Sequence, residues 1–383
     1  MTDVEQASVV IVGGGVMGVS AAFHLAEAGV RDVVLLERDT LGSGSTCKAA
    51  GGVRAQFSDR LNIELGLRSL AAFRRFRERP GQEIDLHEVG YLFLLDSADA
   101  VAAFERSVAL QNELGVPSRL LSPDEARRLS PVIDPGGLHG AAFSPTDGHC
   151  TPESVVLGYA TAARRLGARL HTGRAATGIE TRDGRITAVR TDAGPIATGA
   201  VICASGAWAR EVGAWVGVDL PVTPLRRQVL ITEPVPDLPR NLPMTLDFGT
   251  TFYFHAEGAG LLIGMSDPDE QPGFALHTDD AWLPRLHAAI ERRAPRLLDV
   301  GVRSGWAGLY EMTPDHNALI GEDPSISRFI YATGFSGHGF LMGPAVGEVL
   351  RDLFLDVEPV VDVSPFDARR FATAATRPEL NII

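Results

Sequence analysis

The residues with the clearest capacity for chemistry are three glycines, Gly13, Gly15 and Gly18, and one acid, Glu37. The glycines keep the G-x-G-x-x-G spacing and follow Val9-Val10-Ile11-Val12, a β-branched run that reads as a buried strand of a parallel sheet. Gly13 permits a tight turn, Gly15 lets a pyrophosphate approach the backbone, and Gly18 lets the next helix pack close to the strand. Val16 and Met17 open that helix, expected over residues 16–28. Its free N–H groups and positive dipole end suit a phosphate, and Gly29 stops it. Glu37 closes a second apolar run, Val33-Val34-Leu35-Leu36, 24 positions after Gly13. From there an acid holds a ribose hydroxyl, and with Arg38 and Asp39 following it disfavours a ribose 2′-phosphate. Kinase loops share the glycine spacing, but strand, glycines, helix, strand and acid in this order predict a dinucleotide site. At this point NAD and FAD stay unseparated.

The elements that must position such a site recur along the chain. Residues 42–54 form a small-residue loop (Gly42-Ser43-Gly44-Ser45-Thr46-Cys47-Lys48-Ala49-Ala50-Gly51-Gly52-Val53-Arg54) of the kind that wraps a ligand. Strands are expected over 89–95, 168–171, 175–181, 186–191 and 195–200, the third of these including Ala176, with Asp183-Gly184 as a hairpin turn. Residues 200–208 read as a buried strand ending in Ser205-Gly206-Ala207-Trp208, and a strand delivered to such a turn is where open α/β sheets bind ligands. Helices are expected over 62–79, 98–114, 151–166 and 279–294, with a short one opening at Ser122-Pro123, while 138–151 reads as loop and short strand. From 222 to 264 strands dominate (228–232, 252–254, 261–264), prolines are dense around 233–243, and residues 300–310 return as strand. This reads as an antiparallel sheet in a second layer. Residues 328–333 form a last strand, feeding Gly334-Phe335-Ser336-Gly337-His338-Gly339 and a helix over 340–355. Two helix N-termini, over 300 residues apart, can thus address one cofactor.

Composition bounds the rest. The chain has 383 residues, 45% hydrophobic and 22% charged, enough for two domains or one with an inserted layer. A net charge of −13 without a basic tract argues against nucleic acid or an anionic membrane surface as partner. No apolar stretch is long enough to span a membrane, and Asp3 and Glu5 have the wrong sign for a secretory signal. Cys47, Cys150 and Cys203 are few, odd in number and scattered, so neither a disulfide framework nor a metal site is expected. A reducing cytoplasm is the default compartment.

Taken together, the turn at residues 13–18, the loop 42–54, Ala204-Ser205-Gly206-Ala207-Trp208, Thr313-Pro314-Asp315-His316 and Gly334-Phe335-Ser336-Gly337-His338-Gly339-Phe340 resemble the D-amino-acid oxidase-like superfamily of FAD enzymes. Gly337-His338-Gly339-Phe340 with Gly343-Pro344-Ala345-Val346-Gly347-Glu348 is similar to the branch of sarcosine oxidase and the L-proline dehydrogenase β-subunit. The resemblance implies an α/β fold, with a glutathione-reductase-like Rossmann FAD domain (1–85, 145–218, 320–383) and a discontinuous substrate domain on an antiparallel sheet (86–144, 219–319). It implies FAD along Gly13, Gly15, Val16, Met17, Gly18, Glu37, Arg38, Ser45, Thr46, Lys48, Ala50, Gly51, Ala176, Ser205, Gly206, Trp208, Gly308, Gly337, His338, Gly339, Phe340 and Leu341. It also implies oxidation of a carbon–nitrogen bond in a small amino acid.

Departures from the family pattern shape the expectation. Monomeric sarcosine oxidase-like relatives tether flavin to a cysteine where this chain has Gly308. Dimethylglycine dehydrogenase-like relatives tether it to a histidine where this chain has Lys48. Non-covalent FAD is therefore expected, with Cys47 read as a small buried thiol rather than a tether. A family lysine that helps bind the substrate carboxylate is Leu341 here, and one that promotes reaction with oxygen aligns with Leu262. Both losses favour electron transfer to a redox protein or quinone over oxygen, although oxygen stays open as acceptor.

Arg54 is the candidate for the substrate carboxylate, because a guanidinium grips it with two parallel hydrogen bonds; a structural arginine is the alternative. Tyr253 and Tyr310 match pocket-lining tyrosines, which can orient a carboxylate or amine, or simply pack. His338 and His316 are candidate bases that turns also use as backbone hydrogen-bonders, and His255 is a weaker candidate. The 337–340 backbone can instead present N–H groups to the flavin edge that gains negative charge. The expected reaction is hydride transfer to flavin from a secondary or tertiary amino acid, an N-methyl amino acid or a proline-like imino acid. Alternatives are a glycine or D-amino-acid oxidase acting on primary amines, a flavoprotein subunit of a larger electron-transfer complex, and an NAD-dependent dehydrogenase, which the turn at 334–339 argues against.

Overall fold

The structure is a computed structural model that describes residues 5–373 and 376–382; Met1 to Val4, and with them the acidic Asp3, lie outside the described residues. A six-stranded sheet has the spatial order Leu319–Glu322, Phe329–Thr333, Val201–Cys203, Val9–Val12, Val33–Leu36, Arg169–His171. Its pairings are parallel except at the Leu319–Glu322 edge. Val9–Val12 and Val33–Leu36 are buried along their whole length, which is why they read as unbroken apolar runs rather than alternating ones.

Two helices cover one face of this sheet, Val16–Glu27 and Gly339–Leu355. They run parallel and approach closely, through glycine on one partner. A Cβ on Gly343 would sit 2.4 Å from Val16 Cγ2, and one on Gly347 would sit 2.1 Å from Ser20 Oγ. Equal four-residue steps along both helices keep them in register. Their N-termini therefore emerge side by side at the carboxyl end of Val9–Val12 and Phe329–Thr333.

A second sheet of eight strands draws all its strands from residues 91–144 and 223–312. It is antiparallel except where Met244–Asp247 runs parallel to Tyr91–Leu95. The strand Thr223–Thr232 is longer than expected and pairs along its length with Val302–Met312. Met244–Asp247, just after the proline-rich stretch, was not anticipated. It is pinned by the fully buried pair of Asp247 Oδ2 and Arg293 Nε, 2.7 Å apart, and Arg293 also donates to the carbonyls of Asp134 and Gly136.

The pattern expected to be helical over 62–79 is helical only over Arg60–Arg74. Beyond it the backbone tightens, with Phe76 N–H donating to the carbonyl of Phe73. That turn swings Phe76 into the core, edge-on to Tyr159. The hairpin strands Ala176–Arg182 and Arg185–Thr191 belong to a separate four-stranded sheet.

Gly347→Val forces branched carbons onto Ser20 and His24, and overpacking of this kind costs about 1–3 kcal/mol. Urea unfolding is expected to show a lower midpoint with an unchanged slope.

Candidate active site

The two sheets and the two helix N-termini enclose one large cleft of about 2070 Å³, counted with the part open to solvent. Every residue named above as a cofactor or catalytic candidate lines it except Gly18 and the candidate bases His316 and His255. Gly18 lies beneath the floor, where a Cβ would strike the carbonyl oxygen of Gly13 at 1.9 Å. It serves the close packing of helix on strand and does not touch the cleft.

At the nucleotide end, Glu37 Oε2 accepts from Gly14 N–H at 2.8 Å and Oε1 from Asp39 N–H at 2.9 Å. Each oxygen keeps lone-pair capacity for a ribose hydroxyl. Thr46 Oγ1 accepts from Val16 N–H at 3.0 Å, which ties the small-residue loop to the helix start. No side chain of Gly15 or His338 caps either helix, so the glycine turns leave backbone N–H groups for an anion. The Arg38 guanidinium lies 3.9 Å over the Trp208 ring, and Phe274 stacks on the other ring contact of that tryptophan at 5.3 Å. A cradle of bare backbone between two positive helix ends, with an acid at the ribose position, fits FAD.

At the other end the cleft is walled by Tyr91, Arg227, Val229, Met244, Tyr253 and Tyr310, together with Arg54 and His338. Tyr310 packs against Gly337, whose Cβ would sit 2.3 Å from its ring. The Tyr253 hydroxyl leans across Gly264. Burial pushes all three phenols above their ordinary range, Tyr91 to about 12, so they stay neutral donors. Arg54 is buried, stacked 3.9 Å from the Phe57 ring. It donates to the carbonyls of Gln56 and Asn381, the latter at 2.6 Å, and Ile382 completes that wall. Two of its five N–H groups are thus committed to backbone.

His338 is 3% exposed, and neither ring nitrogen has a hydrogen-bond partner among the described residues. Burial, then the nearby Arg54, pushes its pKa down to about 3, so it is a neutral imidazole. His316 is not among the lining residues, nor is His255, whose ring nitrogens lie 2.8 Å from the carbonyls of Ala256 and Ala50.

Gly308 and Lys48 touch: a Cβ on residue 308 would lie 2.5 Å from Lys48 Cβ. Cys47 is outside the lining set, its sulfur lies beside Gly42, and burial pushes the thiol up to about 11. Leu262 is buried in a cluster with Tyr91, Met244 and Tyr253.

Sequence reasoning missed Tyr91, Arg227, Met244 and Glu311. The first three face the cleft by sheet alternation, and the paired order of their strands carries no local signal. Glu311 is half-buried, accepts from Thr333 Oγ1 and Gly334 N–H, and holds the late glycine turn in place.

The family model described as FAD dependent oxidoreductase (DAO) matches residues 8–353. The chain belongs to that family. Among DAO-family relatives, rat (Rattus norvegicus) mitochondrial dimethylglycine dehydrogenase is 30% identical over 392 residues, covering 97% of this chain and 46% of that protein. Human mitochondrial sarcosine dehydrogenase is 30% identical over 390 residues, covering 97% of this chain and 42% of that protein. The chain thus spans less than half the length of these relatives. The solved structure of L-proline dehydrogenase from P. horikoshii superposes with a TM-score of 0.91 at 33% identity, covering 97% of this chain and 100% of that one. Glycine oxidase from Geobacillus kaustophilus gives 0.85 at 28% identity, covering 96% and 99%. As in the family, FAD is the cofactor of this oxidoreductase.

Glu37→Ala removes the acceptor shared by Gly14 and the ribose position. It is expected to weaken FAD binding to the apoprotein about tenfold or more, the scale of one charge-assisted hydrogen bond, as read by quenching of FAD fluorescence.

Proposed function

We propose that this chain oxidises the C–N bond of a secondary or tertiary amino acid, an N-methyl amino acid or a proline-like imino acid. The observation that carries this is the make-up of the cleft's inner end: the guanidinium groups of Arg54 and Arg227 among three neutral phenols, with Met244 and Val229 as apolar wall. A primary ammonium brings three donors and needs acceptors for them, whereas an N-alkyl group or pyrrolidine ring packs on these apolar and aromatic faces. The names of the dimethylglycine, sarcosine and L-proline dehydrogenases agree with this class.

When bound, FAD supplies the two-electron acceptor for the substrate's hydride. The protein's share is placement. Arg54 holds the carboxylate with the donors its backbone bonds leave free. Tyr253 and Tyr310 orient carboxylate and amine, and Tyr91 with Met244 excludes water from the reacting carbon. The N–H groups of Gly337, Gly339 and Phe340 would serve the edge of the cofactor that gains charge, that of His338 being donated to the carbonyl of Phe335. The imine product leaves for hydrolysis by water. Lys48 against Gly308 and the protonated Cys47 support a cofactor held without a covalent bond. Leu262, in place of a lysine, supports a redox protein or quinone as acceptor. Within the chain we assign the cofactor domain to 1–85, 145–218 and 320–383, and the substrate domain to 86–144 and 219–319. Among the described residues no helix is long and apolar enough to cross a membrane, and three free cysteines suit a reducing cytoplasm.

Anaerobic addition of sarcosine, N-methyl-L-alanine or L-proline is expected to bleach the flavin band. Bleaching by glycine or D-alanine alone would replace this reading with a primary-amine oxidase. Failure of all amines until a co-purifying subunit is restored would replace it with a subunit role. Acid precipitation should leave a colourless pellet and a yellow supernatant; a yellow pellet refutes non-covalent FAD.

The reactive amine is unprotonated, so kcat/KM should rise with pH to a plateau, its apparent pKa following the substrate ammonium. Because His338 is already neutral across this range, His338→Gln is expected to leave that pKa in place. A shift of the acid limb with this variant would assign His338 a proton-transfer role.

A further inference from the structure

Arg226 and Arg227 are neighbours in sequence but face opposite sides of the strand Thr223–Thr232. Arg226 points away from the cleft and is fully engaged, 2.8 Å from Glu270 and 2.5 Å from Asp279, with a further bond to the carbonyl of His277. Arg227 points into the cleft, with Val229 two residues on. Among the described residues no carboxylate lies within 4 Å of its guanidinium. Its Nη1 donates to the carbonyl of Arg226 at 3.0 Å, and its buried Nε–H has no partner among the described residues. The cation lies 5.1 Å over the Tyr310 ring, and of the two acids whose charge reaches it, Glu270 and Asp267, Glu270 is held by Arg226. Half-buried and, among the described residues, without a counter-ion, this guanidinium has its pKa lowered by desolvation, and such a placement is costly for a cation. A ligand anion is what offsets that cost.

Arg54 has other aromatic neighbours, Phe57, Tyr91 and Phe93. Arg227 stands with Tyr310 and Val229. The reaction proposed above needs one carboxylate anchor, and the cleft carries two guanidinium groups.

We propose that Arg227 receives a second carboxylate, and that the preferred substrates are secondary amino acids with an acidic side chain, N-alkyl amino dicarboxylates. This rests on the reading given under Proposed function. The α-carboxylate goes to Arg54 and the distal one to Arg227, with the amine between them beside Tyr310 and Tyr253. A guanidinium serves this better than lysine because its planar fork takes both carboxylate oxygens.

The test compares N-methyl-L-glutamate with its near-isostere N-methyl-L-norvaline, which lacks only the distal carboxylate, in anaerobic flavin reduction by the FAD-loaded protein. The wild type is expected to prefer the dicarboxylate by roughly tenfold or more in kcat/KM, because a buried polar group discriminates strongly against an analogue that leaves it unpaired. In Arg227→Met that ratio should fall to near one, and in Arg227→Lys it should be intermediate. Glutarate, which cannot be oxidised, should perturb the flavin spectrum of the wild type and bind Arg227→Met at least tenfold more weakly. Equal reduction by the two amines in the wild type overturns the inference and leaves the secondary-amine reading standing. Failure of both, together with sarcosine and proline, overturns that reading and this inference with it. Loss of FAD from Arg227→Met and Arg227→Lys alike would assign the residue to the cofactor and also overturn it.

Discussion

The contact on which the site depends is the close, parallel packing of Val16–Glu27 against Gly339–Leu355. Gly343 and Gly347 present bare backbone to Val16 and Ser20, so the two helices lie in register and end together. Each helix start follows a strand of the same sheet by a glycine turn. Two positive ends that would repel or scatter are thereby aimed into one cleft, where an anionic cofactor is the natural counter-charge. Thr46, tied to Val16, and Glu311, tied to Gly334, brace the two turns from opposite sides. Larger side chains at residues 343 or 347 would push the helices apart and separate the ends, whatever the turns themselves contained.

The second sheet supplies what the first cannot. Rossmann-type sheets deliver glycine turns and backbone donors, which recognise phosphate and flavin edges without reading side chains. The inner wall is built from one face of the eight-stranded sheet, where alternation sends Tyr253, Arg227 and Val229 toward the cofactor and their neighbours toward the outer core. Selectivity can change on this wall through single side chains while the nucleotide end stays as it is, because the two ends share few residues.

What could be read directly from the chain follows this division. The turn at 13–18, Glu37, the 204–208 turn and the 334–340 turn are contiguous, and their glycines have local physical reasons, so sequence placed them at one cofactor. The inner wall was readable only in part. Arg54, Tyr253 and Tyr310 came from family resemblance rather than from any pattern of their own. Tyr91 read as one more residue of a strand, and Arg227 carried no local signal of its own. Which side of a strand faces a ligand is decided by its partners, and the parallel pairing of Met244–Asp247 with Tyr91–Leu95 joins segments over 140 residues apart. The early end of the helix at Arg74 is similar: the amphipathic pattern runs on, but the burial of Phe76 wins over helix continuation.

The contact between Gly308 and Lys48 also constrains the history of the fold. At these two positions the resembled lineages anchor their flavin, and here the stem of Lys48 fills the space that a side chain at 308 would need. A cysteine introduced at 308 alone meets that stem. A tether gained from position 308 therefore calls for a compensating shift at 48, a small epistatic barrier written into the wall of the cleft.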